Sequence, residues 1–221
     1  VKIACIADSH FREKDLDDVV HAHQLFCDDL REVQGVDLIV HAGDLLDGRS
    51  TPKERLAVAD FLREALDFAS IVIVRGNHES PEDLRLFERV RGAHEIMVHD
   101  RPGVVMDGPR CQVLALPWFD RQHLEAQLPP GASAERNEQA SALAFRMVGM
   151  FRAFTEAAKA RDAFSVLVAH ALVQGSQTPI GQVLCGAGIE FGWRDLLASG
   201  ADAVVLGHVH KHQWFGDDPD A

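Results

Sequence analysis

The chain has 221 residues, a formal net charge of −12 and a pI near 5.4, a balance that argues against a protein coating nucleic acid through a basic surface. With 47% hydrophobic and 25% charged residues, it has the composition of a globular protein able to bury one large core or two small ones. No apolar run approaches the roughly 20 residues needed to cross a bilayer. Four scattered cysteines (Cys5, Cys27, Cys111, Cys185) contain no Cys-x-x-Cys pair, which argues against a zinc-thiolate site. Cys5 and Cys111 lie in apolar runs, so both are expected to be buried free thiols in a reducing cytoplasm.

Residues 2–7 read as a first strand ending in Asp8-Ser9-His10. Leu16, Val19, Val20, Phe26, Leu30 and Val33 recur at helical spacing and predict a helix over 16–33. Gly35 ends it, Val36 to Val40 forms a second strand, and the run stops at Gly43-Asp44. Thr51-Pro52 opens the next helix, with Thr51 as N-cap and Pro52 at the first position. Ile71-Val72-Ile73-Val74 has the continuous β-branched character of a strand covered on both faces, and it ends at Gly76-Asn77-His78-Glu79. Ser80-Pro81 then opens a short helix. Strand, polar turn and helix repeated in this way predict an α/β protein with parallel strands.

Residues 95–106 and 110–116 read as strands joined at the Asp107-Gly108-Pro109 turn, which points to a second, mixed sheet. A long loop is expected over 120–138, then a helix over 138–161. Phe164 to Ala169 is a strand ending at His170, and 174–192 is Gly-rich and irregular. A short helix at 193–197 precedes the strand Ala203–Leu206, which ends in Gly207-His208-Val209-His210.

Five strand ends therefore carry Asp, Asn or His. Any one of them alone reads as an ordinary polar turn; a lone His170 would more simply be a packed histidine. Parallel strands bring their carboxyl ends to one edge, where α/β folds bind ligands, so the five together predict a common centre. Carboxylate, carboxamide and imidazole without thiolate suit a borderline-to-hard divalent ion such as Mn²⁺. Asp8/His10 and His208/His210 are spaced two apart, which in extended backbone points both side chains the same way. His41, inside its strand, is expected to be structural and hydrogen-bonded beneath the site. Asp47 is expected to be a loop residue behind the site and His212 a rim residue. The acidic balance still admits an enzyme that handles phosphodiesters through bound cations.

Asp8-x-His10, Gly43-Asp44-x-x-Asp47, Gly76-Asn77-His78-Glu79, His170 and Gly207-His208-x-His210 resemble the calcineurin-like metallophosphoesterases, in order over nearly the whole chain. The flanking Gly76–Pro81, Leu116-Pro117-Trp118-Phe119 and Gly207–Gln213 resemble the SbcD branch, DNA-repair nucleases that partner an SMC-like ATPase. The resemblance implies a four-layer α/β/β/α sandwich of two mixed sheets flanked by helices, as one cytoplasmic domain over 1–221, with the cap of larger relatives expected to be absent or truncated. It implies a DNA exonuclease or endonuclease with two divalent ions, Mn²⁺ first, with iron, magnesium and zinc as alternatives.

By the same resemblance, Asp8, His10, Asp44 and His210 hold metal one, while Asp44, Asn77, His170 and His208 hold metal two. Water activated between the ions attacks phosphorus, and His78, not itself a ligand, protonates the leaving oxygen. Implied partners are DNA, an SbcC-type SMC-like ATPase and a second copy of the chain, paired through the helices near 52–69 and 81–91, with no membrane. Arg12, Arg49, Lys53, Arg75 and Lys211 follow the motif loops and are expected to line a rim that contacts substrate phosphates, together with Lys14, Arg85 and Arg121. Acids are interleaved there, so a solvated mixed surface competes with that reading. Two alternatives stand beside the nuclease: a small-molecule or cyclic-nucleotide phosphodiesterase or phosphatase of the same fold, and a scaffold subunit that has lost catalysis.

Overall fold

The computed structural model describes residues 1–120, Leu124, Ala126, Leu128, 133–179 and 188–215. The first sheet holds β1 (Ile3–Ile6), β2 (Leu38–His41), β3 (Ser70–Val74) and β4 (Ile96–His99), in that order and wholly parallel. Its crossovers contain α1 (Leu16–Val33), α2 (Pro52–Ala65) and α3 (Pro81–Phe87). The second sheet contains β5 (Gly103–Asp107), β6 (Cys111–Leu116), β7 (Phe164–His170) and β10 (Ala203–Gly207), in the order β10-β7-β6-β5. Only β5 runs antiparallel to its neighbour there. Helices α4 (Ser133–Met150) and α5 (Arg152–Lys159) lie between β6 and β7 in the chain; the two-residue strands β8 (Leu172–Val173) and β9 (Glu190–Phe191), then α6 (Trp193–Leu197), lead to β10.

Strand alternation sorts the core into three layers of side chains. Ile39, Ile71 and Ile73 face α1–α3, packing on Leu30, Phe61, Leu62 and Leu84. Leu38, Val40, Val72 and Val74 point the other way and meet Val113, Ala115, Val166 and Val168 between the sheets. Leu114, Leu116, Leu167 and Ala169 face outward onto Ala140, Ala144 and Val148 of α4 and Leu196 of α6. The result is the expected helix–sheet–sheet–helix sandwich, and both faces of β2, β3, β6 and β7 are apolar because both are buried. Burying each of the Leu, Ile, Val and Phe side chains among these stabilises the fold by about 1.5–3 kcal/mol.

The Thr51 cap forms a full capping box, with Glu54 N–H donating to Thr51 Oγ1 at 3.3 Å and Thr51 N–H to Glu54 Oε2 at 2.6 Å. Glu54 also accepts the Glu13 N–H at 2.7 Å, tying α2 to the segment after β1.

Several expectations are corrected. The first sheet is not mixed: residues 95–106 form two strands, broken after His99, and β4 joins β3 in parallel while β5 alone makes the hairpin with β6. The predicted helix at 138–161 begins earlier, at Ser133, and divides at Phe151, where its N–H donates to Val148 O at 3.1 Å in a tightened turn. Most of the expected 120–138 loop, with Arg121, lies outside the described residues, as does Cys185. Cys5 is exposed rather than buried, because β1 is an edge strand; Cys111, on an inner strand, is buried. No described helix is long and apolar enough to cross a membrane.

Candidate metal centre

The carboxyl ends of β1, β2 and β3 face those of β7 and β10, and the polar side chains of all five converge. Asp44 is central. It follows β2, is 1% exposed and adopts a left-handed φ of 54°. Its Oδ1 accepts the His78 N–H at 3.0 Å. Its Oδ2 lies 3.3 Å from His170 Nε2 and 3.8 Å from both His10 Nε2 and His78 Nε2. Glycine is required beside it: a Cβ on Gly76 would overlap the Asp44 carboxylate, and one on Gly43 would overlap the His170 ring.

Two groups of donor atoms form around Asp44, each with its atoms within 4.8 Å of one another. Asp8, His10 and His210 make one, with His10 Nε2 and His210 Nε2 3.0 Å apart. Asp44, His170 and His208 make the other, fully buried. Asn77 joins the second: its Oδ1 lies 2.9 Å from both His170 Nε2 and His208 Nδ1. A third grouping, His10, Asp44 and His78, bridges the opening between them.

The two-apart spacing brings Asp8 and His10 into one group as expected, but not His208 and His210. Asp8, His10 and His208 sit at φ 54°, 46° and 101°, so the turns are left-handed, not extended. His208 therefore enters the buried group while His210 reaches the more open one. Asp8 fastens the arrangement by accepting the His208 N–H at 2.9 and 3.1 Å.

The donor set fits a divalent cation. His170 Nδ1 lies 2.8 Å from Ala42 O and donates there, which leaves Nε2 facing Asp44 Oδ2 and Asn77 Oδ1. Both are acceptors, so Nε2 meets them with a proton, and a divalent ion bound there would take that proton's place. The ionisation pattern agrees. Burial alone would lower His170, but hydrogen bonding and attraction to Asp44 raise it above its ordinary value. Burial would raise Asp44, yet the His170 hydrogen bond and charge hold it well below the usual carboxylate range. Burial, then the neighbouring His170, pushes His208 down to about 4, and burial lowers His10. Asp8 is raised, chiefly by burial.

His78 stands at the opening, 34% exposed, with Nδ1 2.9 Å from Asp47 Oδ1. Asp47 Oδ1 is also 3.4 Å from His10 Nδ1, and its Oδ2 accepts from Arg12 Nη1 at 3.1 Å. Arg12 is further engaged by Asp15, at 2.6 and 3.0 Å. Arg75 turns inward and donates from Nη2 to Trp118 O at 3.1 Å. Lys211 donates to Gln177, and Arg85 to Asp100. Arg49 and Lys53 are exposed at and just after the turn that follows Asp47. His212 packs edge-on against Trp214.

Sequence reasoning missed two residues that shape the centre. Glu79 is buried and accepts the backbone N–H groups of Leu45 and, at 3.0 Å, Gly76, clamping the two turns that carry Asp44 and Asn77. Burial, then the Asp44 charge, raises its carboxyl to about 7. Trp118 lies against His208 and His170, ring centroids 4.7 and 5.9 Å away. Its place at the end of an apolar strand, like the other five ends, was the available signal.

Carboxylate, carboxamide and imidazole groups gathered where two sheet edges meet define a metallohydrolase-type centre. The calcineurin-like phosphoesterase family model matches residues 1–212, and the chain belongs to that family. Its members typically depend on a dinuclear metal centre, and membership implies metal-dependent phosphoester hydrolysis. No curated protein matches the chain.

Proposed function

We propose that this protein is an SbcD-type DNA nuclease, a phosphodiester hydrolase working with two divalent ions, Mn²⁺ foremost. The observation that carries the hydrolase reading is the pair of donor groups meeting at Asp44, with His78 at their opening. Asp8, His10, Asp44 and His210 would hold one ion, and Asp44, Asn77, His170 and His208 the other. Bound there, the ions would supply an activated water and charge stabilisation at the phosphoryl oxygens.

The chain's own residues handle the leaving group. Asp47 accepts the His78 Nδ1 proton, which orients the ring and leaves Nε2 directed to the centre. In that orientation the imidazolium form of His78 gives its Nε2 proton to the departing 3′ or 5′ oxygen as general acid and is left neutral. Glu79 keeps the Asp44 and Asn77 turns in register while this happens.

DNA as substrate is supported by the SbcD-like segments around Gly76, Leu116 and Gly207. An SMC-like ATPase partner and self-pairing through α2 and α3 accompany that reading. One observation favours the rival small-molecule phosphodiesterase: Arg12 and Arg75 are already engaged within the chain, which leaves few free cations at the rim among the described residues. Digestion of end-labelled single- and double-stranded DNA with Mn²⁺ decides. Degradation is expected; turnover of bis-p-nitrophenyl phosphate with intact DNA would replace the nuclease by its rival.

A further inference from the structure

Ser9 lies between two non-glycine residues in left-handed conformation, Asp8 and His10, at φ 54° and 46°. Each such residue is strained and persists only where its surroundings hold it. Backbone bonds do part of this, from Asp8 N–H to Gly43 O and from His10 N–H to Asp44 O, both 2.9 Å. The rest comes from a buried chain of hydrogen bonds through the Ser9 side chain. Its Oγ is 2.8 Å from His23 Nε2 and 2.8 Å from His41 Nε2.

The direction of every proton in this chain is determined. His23 Nδ1 is 2.7 Å from Val19 O, an acceptor, so Nδ1 donates. Nε2 of the neutral ring is then an acceptor, and the Ser9 hydroxyl donates to it. With its one proton committed, Ser9 Oγ accepts from His41 Nε2–H. His41 Nδ1, buried and without a partner among the described residues, is the bare end of the chain. Burial keeps both rings neutral, pushing His41 down to about 3 and lowering His23.

Each member belongs to a different element. His23 is on α1, wedged between Phe11 and Phe61 with ring centroids 4.6 and 4.4 Å away. His41 is the last residue of β2, in register with Ile6 of β1. One hydroxyl therefore fastens the turn after β1 to both a helix and the neighbouring strand.

We propose that Ser9 is a positioning residue: through His41 and His23 it holds the Asp8-Ser9-His10 turn so that Asp8 and His10 meet His210 as one metal-holding group. The turn touches the second group, Asp44, Asn77, His170 and His208, through its backbone and through Asp8, which accepts the His208 N–H, whereas the Ser9 hydroxyl itself bonds only His23 and His41 among the described residues. The inference rests on the metal assignment proposed above.

The test titrates Mn²⁺ alone into the metal-freed full chain, reading stoichiometry and affinity by calorimetry and Mn²⁺ electron paramagnetic resonance, with thermal unfolding alongside. Wild type is expected to take up two ions. Ser9→Ala should weaken one of them by about 10–100-fold, the scale for partners that orient metal ligands, and leave the other unchanged. The weakened ion should be the one that His10→Ala abolishes. Ser9→Thr, which keeps the hydroxyl, should bind as wild type does.

Ser9→Ala with His23→Phe removes the stranded acceptor and restores apolar packing against Phe11 and Phe61. It should regain thermal stability yet keep the weakened ion. Recovery of affinity along with stability would reduce Ser9 to a fold-stabilising residue and overturn the proposal, as would equal weakening of both ions or none. A wild-type chain that binds no Mn²⁺ would instead overturn the metal assignment itself.

Discussion

The two halves of the centre are built to different standards. The Asp44–His170–His208 group is fully buried, walled by Trp118, and its His170 ring is pinned by Ala42 O on one side and Asn77 on the other. The Asp8–His10–His210 group is only partly buried, with His210 exposed, and depends on a left-handed turn held from behind. Burial preorganises the first of these and shields it from water; openness gives the second access to a substrate. Asp44 belongs to the buried side but reaches across, with Oδ2 3.8 Å from His10 Nε2.

The largest effect should come from breaking the element both halves share. Asp44→Asn keeps the shape but removes the one negative charge that lies within reach of both donor groups. Metal content should fall below one ion per chain by elemental analysis, and phosphodiesterase turnover should drop by more than about a thousandfold, beyond the loss of a single stabilising donor. Retention of both ions would show that Asp44 is not common to the two groups.

His78 separates chemistry from metal holding. His78→Ala should leave two ions in place and cut kcat by about 10²–10⁴-fold, the range of a general acid. Asp47→Asn should act in the same direction but less strongly, since it loosens the His78 ring rather than removing it. Turnover near the wild-type level in His78→Ala would remove it from the reaction.

The asymmetry itself is tested by stepwise chelation. The ion of the open group should leave first, and the ion of the buried group only at higher chelator concentration. His10→Ala should abolish the early phase with little change in Tm. His170→Ala should abolish the late phase and also destabilise the fold by about 2–4 kcal/mol, because it empties a packed position and strands the Ala42 carbonyl. A single chelation phase in wild type would mean that the two halves are equivalent.

This contrast was only half legible in the sequence. Apolar runs that stop at Asp, Asn or His announce both the strands and the convergence, because parallel strands must bring their ends to one edge. The N-cap at Thr51 and the helix over 16–33 were equally local, and both are present. What depends on neighbours was not visible. Cys5 reads as core but lies on an edge strand, and β4 and β5 read as one strand but belong to different sheets. The left-handed turns at Asp8, His10 and His208 are imposed by partners far along the chain. His23 continues the spacing Leu16, Val19, Val20 toward Cys27 and Leu30, which marks it as inward-facing. That spacing could have flagged a buried histidine, although its Ser9 partner could not have been read from it.

The smallest expected effect concerns the open side, where substrate must arrive. Arg49 and Lys53 are exposed beside the Asp47 turn, whereas Arg12 is already neutralised by Asp15 and Asp47. If DNA lies across this side, Lys53→Ala should weaken DNA binding a few-fold and lower the slope of log affinity against log salt by about one. Arg49→Ala should do the same, and neither should change the Mn²⁺ content or the KM for bis-p-nitrophenyl phosphate, which is too small to reach them. Arg12→Ala should behave differently: freeing Asp47 loosens His78, so kcat falls as well as affinity. An unchanged salt slope in all three variants would place substrate phosphates elsewhere, and would leave the open half as an entrance for a small molecule rather than a duplex.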